Sequence, residues 1–146
     1  GGTWSAPALL NTNGTSDKGD DQVPQLTTDS AGNWVAVWFS LENLGGIAGK
    51  DYDIFVSTST NNGGTWSAPA LLNTNGTSDN NIKGDFQGGD VQPQITTDGA
   101  GHWIVVWSSE TIPSSPSRTK VWVYDIFVST FTFGVKPPEA LPALAK

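Results

Sequence analysis

The chain has 146 residues and a formal net charge of −7, and its seven Trp, six Phe and two Tyr are enough bulky side chains for a packed core. The acidic balance argues against a nucleic-acid partner, which needs a basic face, and no apolar run approaches the roughly 18–20 residues that insert into a membrane as a helix. Cysteine is absent, which excludes disulfides and thiolate chemistry, and the acidic, Asn/Thr/Gly-rich composition favours an extracellular protein.

An internal repeat organises the chain. Three segments occur twice, and they are 1–17 with 63–79, 23–40 with 91–109, and 52–58 with 124–130. The first and third pairs are identical in sequence, and the offset between the copies grows from 62 to 69 to 72 residues. We therefore divide the chain into a first repeat at 1–62, a second repeat at 63–130 and a divergent tail at 131–146.

Each repeat contains four short segments whose β-branched and aromatic content is typical of strands. In chain order the first repeat reads TWSAPALLN, PQLTTD, NWVAVW and YDIFVSTS, which we label strands d, a, b and c. Turns rich in Asp and Gly, DSAGN and DGAGH, join strands a and b. No segment has a sustained helical period apart from the short, proline-interrupted tail. The sequence therefore predicts an all-β fold with two antiparallel four-stranded sheets.

The connections alternate between tight turns and long loops. In an up-and-down meander, alternate connections emerge at opposite edges of the sheet, so the long loops should share one edge. Approximate bounds of these loops are 11–22, 40–51, 73–91 and 109–122. We call this the long-loop edge and expect any functional face to lie there.

The turn between strands c and d carries a recognisable motif, Ser59-x-Asn61-x-Gly63-x-Thr65-Trp66. It resembles the Asp-box of sialidase-type (BNR) β-propeller repeats, S-x-D-x-G-x-T-W, with Asn61 at the Asp position. Through the internal repeat, the resemblance extends over both copies. It implies propeller-type blades and a structural role for the five motif residues, on the face away from any ligand.

Sialidase chemistry, as the resemblance implies it, needs an arginine triad, a Tyr–Glu nucleophile pair and an Asp acid/base. The chain has one arginine, Arg118, and its two tyrosines, Tyr52 and Tyr124, occupy equivalent strand positions. The only histidine, His102, stands beside a turn where the other copy has Asn33. We therefore expect no sialidase activity and assign no catalytic residue, since fold alone does not establish function.

Acidic residues, the arginine and one tryptophan are the candidate ligand-face residues of the long-loop edge. They are Asp17, Asp20, Asp21, Asp85, Asp90, Arg118 and Trp122. Ca²⁺ takes about six to eight oxygen ligands, so Asp17, Asp20 and Asp21 are a candidate calcium site, with simple solvation of a loop as the alternative. Trp122 is a candidate for stacking on a sugar ring, with a strand position as the alternative. No other cofactor is indicated.

A propeller closes with about four to eight blades, and this chain encodes two repeats. Strand c of the second repeat is not followed by a strand d, whereas the first copy of strand d precedes strand a of the first repeat. We therefore expect strand exchange or homo-oligomerisation. The predicted function is a non-catalytic, secreted scaffold or binding module, with a glycan or a protein as the ligand. The alternative is a fragment of a sialidase-like glycoside hydrolase whose catalytic residues lie outside this chain.

Overall fold

The computed structural model describes residues 2–76, 89–111 and 123–133. Within these ranges, two antiparallel sheets have the orders β1-β2-β3-β4 and β5-β6-β7. The strands are β1 (Gln22–Thr28), β2 (Trp34–Ser40), β3 (Asp53–Ser59), β4 (Ala70–Leu71), β5 (Gly89–Thr97), β6 (His102–Thr111) and β7 (Val123–Thr132). The predicted all-β fold is confirmed. Among the described residues, no helix is long and apolar enough to cross a membrane.

The boundaries of the sheets do not coincide with the boundaries of the sequence repeats. Strand β4 belongs to the second repeat by sequence, yet it pairs with β3 of the first sheet through Phe55 opposite Leu71 and Val56 opposite Ala70. The first sheet therefore contains strands a, b and c of the first repeat and strand d of the second. The second sheet contains strands a, b and c, and in the part of the chain that the structure describes no strand lies beyond β7.

The prediction of a strand at the first copy of TWSAPALLN is wrong. Residues 2–9 have no regular secondary structure, Trp4 is fully exposed and Leu9 is 59% exposed. The same residues form β4 in the second copy because the edge of β3 is available to them there. The second sheet has three strands among the described residues, and the predicted fourth strand, to be supplied by strand exchange or by another copy, stays a prediction.

Both first strands of the sheets contain a β-bulge immediately before a proline. The bulged residues are Val23, with φ 49°, and Gln92, with φ 56°, and they precede Pro24 and Pro93. A proline has no N–H to donate to the ladder, so the bulge interrupts the pairing where the donor is missing. The strands consequently begin before the prolines, earlier than the sequence predicted.

Two long loops of the first repeat meet at one edge of the sheet, as predicted. The backbone N–H of Lys18, in the loop before β1, donates to Glu42 Oε2 at 3.2 Å, in the loop after β2. The tight turn between β3 and β4 lies at the opposite edge. The long-loop edge is therefore present in the first sheet, where these two loops are in contact.

The motif turn is closed by its own side chains. Ser59 Oγ accepts the N–H of Gly63 at 3.0 Å, and Asn61 Oδ1 accepts the N–H of Thr65 at 2.9 Å. The Asn61 Oδ1 atom thereby takes the acceptor role of an aspartate oxygen, and its Nδ2 donates in addition to Thr65 Oγ1 at 3.0 Å. Gly63 has φ +79°, which favours glycine, and the ring of Trp66 lies beside it. These contacts describe a structural turn.

The main core lies between the two sheets, and it uses one face of each. Its buried members are Val35, Val37, Phe39, Ile54, Trp103, Val105 and Trp107. Because side chains alternate along a strand, Trp38 and Phe55 point to the other face of the first sheet, where their rings stack at a centroid distance of 6.1 Å. Leu10, Leu44 and Ala48 cover that second cluster.

Candidate interaction surface

The acidic cluster predicted before β1 is organised by amide side chains. Asn11 Nδ2 donates to Asp21 Oδ2 at 2.6 Å and to Asp17 Oδ2 at 3.2 Å, while Gln22 Nε2 donates to Asp20 Oδ2 at 2.7 Å. Burial raises the pKa of Asp17, and the charge of Asp21 raises it further. In the ranges that the structure covers, no group of three or more His, Cys, Asp or Glu residues is arranged to hold a metal ion.

Several candidates of the long-loop edge lie outside the described residues. They are Asp85, Arg118 and Trp122, and the tail beyond residue 133 lies outside as well. The remaining ligand-face candidates divide between two places. Asp17, Asp20 and Asp21 form the cluster before β1, whereas Asp90 is fully buried where the two sheets meet. The structure therefore does not bring Asp90 together with the other three.

His102 has a turn-closing partner. Its Nδ1 lies 2.7 Å from Asp98 Oδ2, and in the first sheet Asn33 Nδ2 donates to Asp29 Oδ2 at 2.6 Å. The N–H of Ala100 and the His102 side chain lower the pKa of Asp98. The equivalent geometry assigns His102 the role that Asn33 has, which is to close the turn between strands a and b.

A cluster of buried carboxylates at the junction of the sheets was not predicted. Asp51, Asp53 and Asp90 are all at least nine-tenths buried, and the N–H of Asp90 donates to Tyr52 O at 2.6 Å. A side chain at Gly89 would collide with the Tyr52 backbone, so glycine permits this close approach. Asp51 and Asp53 lie two positions apart, whereas Asp90 is distant in sequence and only the packing of one sheet on the other brings it to them.

Burial and the repulsion between carboxylates raise the pKa values of Asp53 and Asp90 at this junction. Desolvation raises the pKa of Asp53 to about 6, against hydrogen bonds from Asn73 and the Gly49 N–H that lower it, and the charges of Asp51 and Asp90 raise it further. Burial likewise raises the pKa of Asp90. Protonation of these groups is therefore coupled to the packing of the two sheets.

We expect the free energy of unfolding to increase by about 1–3 kcal/mol as the pH falls from about 7.5 to about 4.5. The folded pKa of Asp53, about 6, exceeds the value of 3.8 for an unperturbed Asp, so the folded state binds the proton more tightly. Its contribution is complete below pH 3.8 and is lost as the pH rises through about 6. Asp90 acts in the same direction, whereas the lowered pKa values of Asp29 and Asp98 remove stability only in stronger acid.

Urea unfolding over a pH series measures this dependence. Asp53→Asn is the control variant, because its amide does not titrate in this range. The variant should be less stable than the parent at every pH, yet show a smaller change between pH 7.5 and 4.5. Equal pH dependence in the two proteins would contradict the assignment to Asp53.

Asn73 connects strand d to strand c with both ends of its amide. Its Nδ2 donates to Asp53 Oδ1 at 2.7 Å, and its Oδ1 accepts the N–H of Ile54 at 3.0 Å. The residue is 1% exposed. Sequence reasoning missed it, although its place in the repeated segment, with Asn11 as its copy, was a usable signal.

The outer face and edge of the second sheet form the largest difference between the two repeats. Ile54 is fully buried and its copy Ile126 is 73% exposed, while Val37 is fully buried and its copy Val106 is 37% exposed. Further exposed apolar residues on these strands are Ile104, Tyr124, Phe127, Val128 and Phe131. An open groove of about 470 Å³ lies on this surface beside Val23 and Ile126. We call the surface formed by these exposed apolar residues of β6 and β7 the β7 surface.

No protein-family model, curated protein or solved structure matches the chain. The described residues define the class of the molecule as an all-β protein built from two packed antiparallel sheets with an internal repeat.

Proposed function

We propose that the chain is a non-catalytic, secreted repeat module of propeller-type blades that associates with further copies of itself to form a scaffold. The observation that carries the proposal is the β7 surface, where residues identical or equivalent to core residues of the first sheet are open to solvent. Contiguous exposed apolar surface of this kind marks an interaction site. An unprotected strand edge is likewise a template for pairing with another chain.

A second copy is the partner that best fits the β7 surface. In the first sheet, the same apolar face is covered by the second sheet, which is built from the second copy of the repeat. The matching surface for an Ile/Val face of this protein is therefore another sheet of this protein. The sequence YDIFVST, identical at 52–58 and 124–130, lies in both the covered and the uncovered strand.

The proposed contact differs on its two sides, because β7 of one copy meets a different part of the next. Such heterologous contacts close into rings when the rotation permits and extend into filaments when it does not. In this proposal, the assembled scaffold binds a glycan or a protein at the long-loop edge.

Light scattering at several protein concentrations tests the proposal. We expect a mass that exceeds 15.4 kDa and approaches whole multiples of it at high concentration. Ile126→Glu should reduce the mass to that of the monomer. Ile47→Glu is the matched control, because Ile47 is an exposed loop residue of the first sheet and its replacement should leave the mass unchanged. A constant 15.4 kDa for the parent protein would overturn the proposal.

Because the chain carries a net charge of −7, its copies repel one another at low ionic strength. The measurement should therefore be made at about 0.15 M salt and repeated at higher salt. Apolar contact between copies should persist at the higher salt concentration.

A further inference from the structure

We infer that residues 2–11 of a second copy add, as a fourth strand, to the edge of β7 that no described strand occupies. They would take the register that residues 64–73 hold on β3. The inference rests on the proposed self-association and specifies the segment and the pairing by which it occurs.

Every residue that joins strand d to strand c in the first sheet has an identical copy available for this contact. Residues 63–73 repeat as 1–11, and residues 52–58 repeat as 124–130. In the first sheet the two segments touch along their length. Ser67 Oγ accepts the N–H of Thr58 at 3.1 Å, and the N–H of Leu72 donates to Ile54 O at 2.7 Å.

The first sheet also sets the register of the contact. Ala70 lies opposite Val56 and Leu71 opposite Phe55, so the repeat places Ala8 opposite Val128 and Leu9 opposite Phe127. Leu10 would donate its N–H to Ile126 O. Identical side chains on both strands favour this register, because a slip by one residue reverses the face of every side chain.

In the proposed pairing, Asn11 takes the place that Asn73 has beside β3. Asn73 donates to Asp53 Oδ1 and accepts the N–H of Ile54. In its own chain Asn11 donates to Asp21. For Asn11, the equivalent groups are those of Asp125 and Ile126 on β7.

The second copy, rather than the same chain, must supply the strand. Leu10 packs on the Trp38 and Phe55 cluster, and Asn11 is held by Asp21. That cluster lies on the face of the first sheet that points away from the second sheet, because Val37 and Trp38 alternate along β2. Ala8 and Leu9 therefore cannot reach β7 of their own chain while Leu10 and Asn11 stay in place.

Residues 133–146, which follow β7, contain no copy of strand d. Residues 133–146 read FGVKPPEALPALAK, and they include Pro137, Pro138 and Pro142. Proline removes a ladder donor and disfavours an added strand. The segment with the right sequence for the edge of β7 is therefore residues 2–11.

Disulfide cross-linking tests the register. Because the chain has no native cysteine, only the introduced cysteines can form a disulfide. One protein carries Ala8→Cys and a second carries Val128→Cys. We expect oxidation of the mixture to produce a covalent species of two chains on a non-reducing gel. The positive control is the double variant Val56→Cys with Ala70→Cys, whose positions already face each other in the first sheet and should close within one chain. Ala6→Cys with Val128→Cys is the register control and should cross-link much less.

A deletion of residues 2–9 separates this inference from the proposed function. We expect the deletion to lower the mass measured by light scattering to that of the monomer while leaving thermal unfolding of the two sheets unchanged. If the deleted protein still associates and Ala8→Cys does not cross-link to Val128→Cys, the strand addition is wrong and self-association stands. If the double variant Ala8→Cys with Val128→Cys closes within one chain, the second copy is the wrong occupant. If the parent protein is a monomer, both proposals fail.

Discussion

Replacing Ile54 with alanine is expected to lower the free energy of unfolding by about 2–5 kcal/mol, whereas the same replacement at Ile126 lowers it by less than about 1 kcal/mol in the monomer. The two residues occupy the third position of the identical segment YDIFVST. Ile54 is fully buried between the sheets, so truncation removes packed methyl groups and leaves a cavity. Ile126 is 73% exposed, and its truncation removes few contacts.

Urea unfolding at low protein concentration, where association is weakest, measures both values. The pair acts as its own control, because composition, local sequence and strand type are the same at the two positions. At high concentration, Ile126→Ala should also lower the mass observed by light scattering. Equal losses of stability at low concentration would show that Ile126 is buried in the monomer, and the β7 surface would then not be a free surface.

Replacing Asn73 with alanine is expected to cost about 2–4 kcal/mol of unfolding free energy. The variant leaves Asp53 Oδ1 and the N–H of Ile54 buried without the amide that satisfies both. The same replacement at Asn11 should cost about 1 kcal/mol or less, because its bond to Asp21 is exposed to solvent. Asn11→Ala should instead weaken self-association, since Asn11 contributes to the proposed pairing with β7.

Thermal or urea unfolding gives the stabilities, and light scattering gives the association. The two variants should differ in the property that they lose. Asn73→Ala should chiefly lose stability, and Asn11→Ala should chiefly lose association. Should Asn11→Ala retain the full parental mass, Asn11 would have no part in the pairing. Should Asn73→Ala be as stable as the parent, the Asn73 side chain would not join the two strands.

The central strands could be predicted because their pattern is local. The alternation in NWVAVW places Val35 and Val37 on one face and Ala36 and Trp38 on the other, and both faces are buried as that pattern requires. The turns are local too, since Asp29 closes its turn with Asn33, four residues away. Such features depend on neighbouring residues and need no knowledge of the rest of the fold.

The buried acidic junction could not be predicted in the same way. Asp51 and Asp90 lie far apart in the sequence and approach only where Tyr52 meets Gly89 between the sheets. Nothing in the residues around Asp53 distinguishes a buried carboxyl with a raised pKa from a solvated one. The shift results from desolvation, which depends on what the tertiary structure places over the group.

The sequence by itself determined the repeat, the strand pattern and the turn chemistry of this protein. Only the tertiary structure decided which of two identical segments is paired and buried and which is exposed. Residues 63–73 include the paired strand β4, whereas the same letters at residues 2–9 have no regular structure, and Ile54 is buried where Ile126 is exposed. The physical reason is that a strand gains its hydrogen bonds and its apolar contacts from a neighbour. A segment of given sequence is therefore ordered only where the fold, or another copy of the chain, provides that neighbour.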